Sequence, residues 1–296
     1  MIPHDIRNQF PIFDQEVNGY PLAYLDNGAT TQKPQSVIDA LVQFYSHDNA
    51  NVHRGIHTLS ERASTAYDQA RATIANFIGA ESDQELIFTR GTTEAINLVA
   101  TSYLAPRLKA GDVVVTTIME HHSNFVPWQE VCQRAGAELR VAPITDDGQL
   151  DLDQLASMLD ESVKLVSVVH VSNVLGVINP ITEIVKLAHD RNIPVLVDGA
   201  QSIAHLPVNV SELGIDFFAF SGHKMYGPTG IGGLWAKTEH LEAMQPYQYG
   251  GDMIASVSVE ESTWNELPYK FEAGTPHIAG AIGLGAAVEF LSGIGM

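Results

Sequence analysis

Short apolar runs alternate with helical patterns from residue 86 onward, and this alternation constrains the fold more than any other feature of the sequence. Buried strands are predicted at residues 86–89, 113–117, 165–169, 195–197 and 217–220, because each run is apolar and rich in β-branched or aromatic residues. Helices are predicted at residues 60–78, 96–104, 124–135, 152–159 and 181–191. The alternation predicts an α/β fold with a mainly parallel sheet, in which functional residues gather at the carboxyl ends of the strands.

The composition limits the classes of protein that this sequence can belong to. Of the 296 residues, 45% are hydrophobic and 17% are charged, which is typical of a folded domain. The net charge of −19 argues against a nucleic-acid or anionic-membrane partner. A single cysteine, Cys132, excludes an intrachain disulfide, and the apolar run 278–288 is too short to span a bilayer. Because the first residues also lack a signal-peptide pattern, we expect a cytoplasmic protein without a membrane partner.

One predicted strand ends in a lysine that is a candidate for covalent chemistry. Phe217, Phe218 and Phe220 are followed by Ser221-Gly-His-Lys224 and then by a turn rich in glycine and proline. Burial disfavours the ammonium form, so the amine of Lys224 can become nucleophilic and form a Schiff base with a carbonyl ligand. The alternative is a lysine that merely extends from the strand end into solvent.

Three more loops follow predicted strands and carry polar side chains. Gly91-Thr92-Thr93 enters a helix and offers backbone N–H groups and two hydroxyls, which suit a phosphate, although threonine also caps many helices that bind nothing. Asp198 ends an apolar strand and needs a partner such as a cationic ring nitrogen, unless it only stabilises a turn. Asn173 adds an amide after the strand at residues 165–169.

Two histidine pairs raise the question of a metal site. His121 and His122 are adjacent, and His53 and His57 have the spacing of one helical turn. The sequence contains neither a His-Glu-x-x-His nor a Cys-x-x-Cys pattern, so we predict no metal. A single imidazole can instead stack on an aromatic ligand.

Together these loops offer a phosphate site, an aspartate for a ring nitrogen, a stacking imidazole and a lysine for a Schiff base. This set fits pyridoxal 5′-phosphate (PLP) better than other cofactors. No Walker loop and no Gly-x-Gly-x-x-Gly pattern follows a strand, which removes the main nucleotide alternatives.

The sequence resembles the SUF-type (group II) cysteine desulfurases and the selenocysteine lyases of the class V aminotransferase group. The matching segments, which cover almost the whole chain in order, begin at Tyr24 (YLDNGAT), Val52 (VHRGIHTLS), Arg90 (RGTTEAIN), Glu120 (EHHSN), His170 (HVSNVLG), Val197 (VDGAQ), Ser221 (SGHKMYGPTG) and Phe271 (FEAGTP). The resemblance implies a PLP-dependent transferase of fold type I, with a mainly parallel seven-stranded sheet flanked by helices. It also implies that residues 21–296 form the large PLP-binding domain, that residues 1–20 belong to a small domain, and that the C-terminal small domain is missing.

The resemblance also implies a role for individual residues. Lys224 would bind the cofactor covalently, Asp198 would pair with its ring nitrogen and His121 would stack on the ring. The other expected contacts are with the ring hydroxyl edge (Gln201 and Asn173) and with the phosphate (Thr93, Ser221 and His223, with the backbone of Thr92). Thr275 would reach the phosphate in a partner subunit, which implies a homodimer, and His53 and Arg54 would lie near the site entrance.

The activity implied by the resemblance is conversion of L-cysteine to L-alanine, with sulfur left as an enzyme persulfide for a SufE-like acceptor and iron–sulfur cluster assembly. The family's nucleophilic cysteine, which lies in its C-terminal domain, is absent, and we expect Cys132 to pack inward on a helix without a catalytic role. The chain is therefore interpreted as a fragment of a desulfurase. The alternatives are a PLP-binding short form without desulfurase activity, a selenocysteine lyase, and a class V aminotransferase or epimerase.

Overall fold

The computed structural model describes residues 4–53 and 55–296, with the side chains of residues 4 and 5 left out, and is built around one large sheet. The strands, in chain order, are β1 (Glu16–Val17), β2 (Tyr20–Pro21), β3 (Leu86–Thr89), β4 (Val113–Thr117), β5 (Glu138–Ala142), β6 (Val163–Val169), β7 (Val195–Asp198), β8 (Phe217–Ser221), β9 (Gly232–Ala236), β10 (Ile254–Val257) and β11 (Ser262–Trp264). The helices are α1 (His4–Arg7), α2 (Gln35–Gln43), α3 (Thr58–Phe77), α4 (Thr92–Leu98), α5 (Val126–Ala135), α6 (Leu152–Ser157), α7 (Ile181–His189), α8 (Val210–Leu213), α9 (Thr238–Ala243) and α10 (Ile278–Ile294).

Within the described residues, β3 to β9 form a seven-stranded sheet with the order β3-β9-β8-β7-β6-β4-β5. The pairs from β8 through β7, β6 and β4 to β5 are parallel, whereas β9 is antiparallel to both β8 and β3. The prediction of a mainly parallel α/β fold is therefore confirmed. The remaining strands make two small hairpins, β1–β2 and β10–β11.

The sheet is covered on both faces, which explains why its strands are nearly continuous apolar runs. Alternate residues of one strand enter different cores, as expected for a period of two. Val113 and Val115 belong to the core that includes residues of α3, α7 and α10, whereas Val114 belongs to the core that includes residues of α4, α5 and α9. Phe218 and Phe217 divide between the same two cores. Helix α10 approaches α3 closely, since a Cβ atom on Gly285 would lie 3.2 Å from the Cα atom of Ala70.

The predicted elements agree with the structure within a few residues, provided that the π-helical turn Val99–Leu104, which continues α4, is counted with the helix predicted at 96–104. The omissions have physical causes. Strand β5 lies at the edge of the sheet and carries Glu138 and Arg140, so its apolar pattern is weak. Strand β9 begins with Gly232 and Gly233, which are atypical of strands. A Cβ atom on Gly232 would lie only 2.3 Å from the carbonyl oxygen of Phe220, so this close pairing favours glycine. In the part of the chain that the structure describes, no helix combines the length and the apolarity needed to cross a membrane.

Candidate active site

The loops that follow β3, β4, β6, β7 and β8 meet at the carboxyl ends of these strands and enclose a cavity of about 580 Å³. Nine of the ten residues predicted for the site line it: Thr92, Thr93, His121, Asn173, Asp198, Gln201, Ser221, His223 and Lys224. Parallel strands place their carboxyl ends at the same edge, which brings together side chains that are up to 132 positions apart in the sequence.

Lys224 lies in a short turn, Gly222–Lys224, directly after β8. Its side chain is half-buried, and its ammonium group makes no hydrogen bond or ion pair within residues 4–53 and 55–296. Desolvation lowers the pKa of this lysine, while the nearby carboxylate of Asp198 acts in the opposite direction. The lysine is therefore placed in a cavity with an amine that loses its proton more readily than an exposed one.

Asp198 is the last residue of β7 and is only 1% exposed. Within the described residues its carboxylate receives one hydrogen bond, from the Ala200 N–H to Oδ1 at 2.9 Å. Burial raises the pKa of Asp198 to about 6, and this hydrogen bond and the charge of Lys224 offset part of the effect. A buried carboxylate with so few partners is suited to a cationic group that enters the cavity.

Hydroxyl groups gather where β8 and α4 meet. The hydroxyl of Ser221 accepts a hydrogen bond from the Thr92 N–H at 2.9 Å and lies 2.8 Å from the Thr92 hydroxyl. Gly91 has a φ of +144°, a conformation that L side chains rarely adopt, and precedes the first turn of α4. Thr93 and His223 line the same end of the cavity. These groups can donate hydrogen bonds to an anion near the positive end of a helix dipole.

His121 lies in the loop after β4 and faces the cavity. Its Nδ1 atom accepts a hydrogen bond from the Ser123 N–H at 3.1 Å and lies 2.8 Å from the Ser123 hydroxyl. Desolvation and the charges of Lys224 and His122 lower the pKa of His121, which favours the neutral imidazole. Among the described residues, no three His, Cys, Asp or Glu side chains gather as a metal site requires.

The segment at residues 25–33 forms a wall that the chemistry of its side chains did not predict. Leu25, Asp26, Gly28 and Ala29 line the cavity, and the Gly28 carbonyl accepts a hydrogen bond from the Gln201 amide at 2.8 Å. The hydrogen bonds between this wall and the site loops mostly involve a backbone carbonyl, that of Gly28 or that of His223, so the sequence does not show which groups they join. The segment YLDNGAT at residues 24–30 matches the family, but no role at the site was predicted for it.

The same segment also fixes the peptide that precedes Lys224. The carbonyl of His223 accepts hydrogen bonds from the Thr31 N–H, the Thr30 and Thr31 hydroxyls and the Lys33 ammonium, at 2.9 to 3.1 Å. Burial lowers the pKa of Lys33 to about 8. The candidate lysine is thus held through its neighbour by four donors from a distant part of the chain.

Thr275 is the predicted residue that the structure does not bring to the cavity. It is exposed in the segment between Phe271 and α10. This segment is anchored by Glu272, whose carboxylate binds both terminal nitrogens of the buried Arg71 at 2.7 and 2.8 Å. His53 also lies elsewhere, with its Nε2 atom 3.0 Å from Asp68 Oδ1. Arg54 lies outside the described residues.

Cys132 packs inward on α5, as predicted, and is not a cavity residue. Its Sγ atom lies 3.5 Å from the Glu138 carbonyl, and burial raises the pKa of the thiol to about 11. A buried thiol in this state is unreactive near neutral pH.

The residues of the cavity fit PLP by their chemistry. The site contains a lysine amine, a buried carboxylate with one hydrogen bond from the described residues, an imidazole and a cluster of hydroxyls. These groups match the aldehyde, ring nitrogen, ring face and phosphate of this cofactor, in that order. The fold and the cavity together define the class as a fold-type-I protein with a PLP-type site.

The chain belongs to the aminotransferase class-V family, whose model matches residues 23–296. It is 55% identical to a probable cysteine desulfurase of Halalkalibacterium halodurans, and the match covers the whole chain and 73% of that relative. It is also similar to the apo structure of a cysteine desulfurase from Thermococcus onnurineus NA1, with a TM-score of 0.94, 42% identity and coverage of 100% of this chain and 72% of that one.

A third similar structure is a mutant of the protein C-DES with glycine covalently linked to its PLP cofactor. Its TM-score is 0.85 at 25% identity, with coverage of 98% of this chain and 74% of that one. These comparisons confirm fold type I and class V, and at the level of the family they confirm PLP as the predicted cofactor.

Proposed function

We propose that this chain carries the PLP-binding part of a SUF-type cysteine desulfurase, which acts on L-cysteine and yields L-alanine and sulfur bound to a thiol. The observation that carries the proposal is the meeting of Lys224, Asp198 and the hydroxyls of Thr92 and Ser221 in one cavity. The 55% identity to a probable cysteine desulfurase supports the substrate.

When bound, PLP supplies a ring that withdraws electrons from the bond that breaks at the substrate's Cα atom. Asp198 would hold the ring nitrogen in its protonated form, because a buried carboxylate is stabilised by an adjacent cation. Lys224 would bind the cofactor and then move the proton of the Cα atom as general base and acid. His121 would cover one face of the ring, and Gln201 and Asn173 would contact its hydroxyl edge.

The phosphate would be held by Thr92, Thr93, Ser221 and His223, and Thr275 would reach the phosphate of a partner subunit in a homodimer. The exposed position of Thr275, outside its own chain's cavity, supports this shared arrangement. We assign residues 21–296 to the PLP-binding domain. A cytoplasmic location fits a chain with one buried, unpaired cysteine.

The sulfur must pass to a thiol that the cavity does not supply, because Cys132, the single cysteine, is buried in α5. In the family that the sequence resembles, the accepting cysteine belongs to the C-terminal domain, and a SufE-like protein takes the sulfur next. This chain spans 73% of the H. halodurans relative. The 296 residues thus contribute the chemistry at the substrate's Cα atom, and a thiol from elsewhere contributes the nucleophile.

Borohydride reduction followed by peptide mapping tests the cofactor site. The protein is loaded with PLP, reduced and digested, and the pyridoxyl label is expected on Lys224. Lys270, which is half-buried and donates hydrogen bonds to two carbonyls away from the cavity, is the internal control for nonspecific labelling. Label on Lys270 but not on Lys224 would contradict the proposal.

A second assay tests the reaction. With L-cysteine and an added small thiol, the loaded protein is expected to release alanine and form a persulfide on that thiol. Consumption of the amino acid without sulfur transfer would instead identify an aminotransferase or an epimerase.

A further inference from the structure

Glu120 precedes His121 in the sequence but does not line the cavity. Its carboxylate accepts three hydrogen bonds from the part of the chain that the structure describes. Oε1 accepts from the Thr117 hydroxyl at 2.7 Å and from the Val169 N–H at 2.9 Å, and Oε2 accepts from the Asn124 side-chain amide at 2.5 Å. These partners belong to three different elements that converge below the site.

The carboxylate joins the ends of two neighbouring strands to the loop that carries His121. Thr117 ends β4 and Val169 ends β6, whereas Asn124 closes the turn after His121. The last pairing between β4 and β6 is that of Val115 with Val166. The Val169 N–H therefore lies beyond the ladder with β4, and a side-chain carboxylate accepts its hydrogen bond in place of a strand carbonyl.

All three partners of Glu120 act as donors, and their orientations are fixed. The Oδ1 atom of Asn124 accepts a hydrogen bond from the indole N–H of Trp128 at 3.0 Å. An indole N–H only donates, so the Asn124 amide cannot flip, and its N–H group must point at Glu120. The hydroxyl of Thr117 accepts from the Met119 N–H at 3.3 Å, which directs its own proton to the carboxylate.

A carboxylate is the one form of this side chain that accepts all three hydrogen bonds. A glutamine would place its N–H₂ group against either the Val169 N–H or the Asn124 amide, and both are donors. Burial raises the pKa of Glu120 to about 8 even though the three donors act in the opposite direction by stabilising the charged form. Since none of its three described partners is oriented to accept a carboxyl proton, their geometry indicates the carboxylate. Through these three donors the buried carboxylate links β4, β6 and the loop after β4 to one another.

We infer that Glu120 is a positioning residue, which fixes the loop after β4 so that the ring of His121 faces the cofactor. This inference deepens the proposed function, because it rests on His121 covering the PLP ring. Glu120 acts through its neighbour and touches neither cofactor nor substrate.

Glu85 provides a matched control. Its buried carboxylate also accepts three hydrogen bonds from described residues, of the same kinds as those of Glu120. The donors are a side-chain N–H (Trp235 Nε1, 3.0 Å), a hydroxyl (Thr238, 3.0 Å) and a backbone N–H (Thr238, 3.4 Å). It lines a different cavity from the one that contains His121. Glu85→Gln therefore measures the cost of disturbing such a carboxylate without moving the loop after β4.

The decisive measurement is a double-mutant cycle on the affinity for PLP, read by absorbance titration of each variant. Glu120→Gln is expected to weaken PLP binding about 10-fold in the native background, because a donor–donor clash displaces the loop. In the His121→Ala background the same change is expected to matter less than about 2-fold, since the residue through which it acts is gone. Glu85→Gln is expected to lower the melting temperature but to change PLP affinity less than about 2-fold.

Additive effects of Glu120→Gln and His121→Ala, or an equal loss of affinity in Glu85→Gln, would show that the carboxylate is merely structural. A second readout uses the cofactor-free protein. The side-chain NMR signals of His121 are expected to shift in Glu120→Gln and to stay in place in Glu85→Gln, and an unmoved His121 signal overturns the inference. Because this readout needs no PLP, it is independent of the mapping of Lys224. A failure to find the pyridoxyl label on Lys224 would contradict the proposed function and not this inference alone.

Discussion

Two buried aspartates on neighbouring strands have opposite surroundings. Asp216 lies just before β8, and its carboxylate is surrounded by donors: Lys237 Nζ and His189 Nε2 at 2.7 Å, the Val195 N–H at 2.8 Å and His240 Nε2 at 3.2 Å. Asp198 lies at the opposite end of the strands, as the last residue of β7, and receives one hydrogen bond from the described part of the chain. Burial opposes the charge of both groups, but the pKa of Asp216 is held well below its usual range, whereas that of Asp198 is raised to about 6.

The difference separates a carboxylate that is compensated within the fold from one that is available to a ligand. The protein supplies every partner of Asp216, so its charge is compensated as soon as the chain folds. Among the described residues, Asp198 forms no ion pair, although it lies in a cavity that also contains a lysine and an imidazole. A carboxyl group with a raised pKa in such a cavity is typical of a functional site.

The largest effect is expected for Asp198→Asn. Activity of the loaded enzyme should fall about 100-fold or more, because under the proposed function the ring nitrogen would lose the carboxylate that keeps it protonated. The cofactor-free protein should respond in the opposite way. A carboxyl with a raised pKa costs stability above about pH 6 and nothing below its unfolded value near 4, so the variant should gain up to about 3 kcal/mol at pH 8. Urea unfolding at pH 8 and at pH 4 checks this.

If wild type and Asp198→Asn have the same dependence of unfolding free energy on pH between 4 and 8, the carboxylate is already compensated in the cofactor-free state. The contrast with Asp216 would then be wrong.

Asp216→Asn is expected to show the reverse pattern, with a loss of stability and little change at the site. The variant leaves the charge of Lys237 without a carboxylate, and we expect a loss of about 2–3 kcal/mol at pH 7, discounted because this lysine is partly exposed. PLP affinity should stay within about 2-fold of wild type, since Asp216 is not a cavity residue. Asp160→Asn, which breaks an exposed pair with Arg140, is the control and should unfold like wild type. A large loss of PLP affinity in Asp216→Asn would contradict the view that Asp216 stabilises the fold without contributing to the ligand site.

The two aspartates also show how far the sequence predicts the structure. Asp198 was found because it ends an apolar run, and a strand end in a parallel sheet is where sites form. The function of Asp216 could not be predicted, because its side-chain partners lie 21 to 27 positions away on α7 and around α9. Local patterns fix the ends of strands, but not which distant side chains meet there.

The same limit applies inside the site. The hydroxyls of Thr92 and Ser221 were each predicted, but their contact at 2.8 Å joins residues 129 positions apart and follows only from the order of the sheet. The wall at residues 25–33 was not predicted, because its contacts with the site loops mostly involve the backbone carbonyls of Gly28 and His223. Glu120 was quoted only as part of a motif, because nothing local shows that a strand ladder ends beside it.

Ser221→Ala is expected to have an intermediate effect at the ligand-binding edge. The change leaves the Thr92 N–H without its acceptor and removes one hydroxyl from the proposed phosphate site. We expect PLP affinity to fall about 5- to 10-fold and stability to fall by about 1 kcal/mol. Titration of PLP and urea unfolding of the cofactor-free protein measure the two effects. A loss of stability with unchanged PLP affinity would show that Ser221 stabilises the fold and does not bind the phosphate.

Cys132→Ser should have the smallest effect, and it tests whether a raised pKa alone identifies a functional group. Burial raises the pKa of Cys132 to about 11, but Cys132 does not line the cavity that contains Lys224. Its place in the apolar core beside Trp128 indicates a packing role, so the serine variant should lose about 1 kcal/mol or less. Alanine release from L-cysteine in the presence of an added thiol should stay within about 2-fold of wild type. A 10-fold drop at unchanged PLP affinity would make Cys132 the nucleophile, and a buried position would then no longer separate structural from functional groups in this protein.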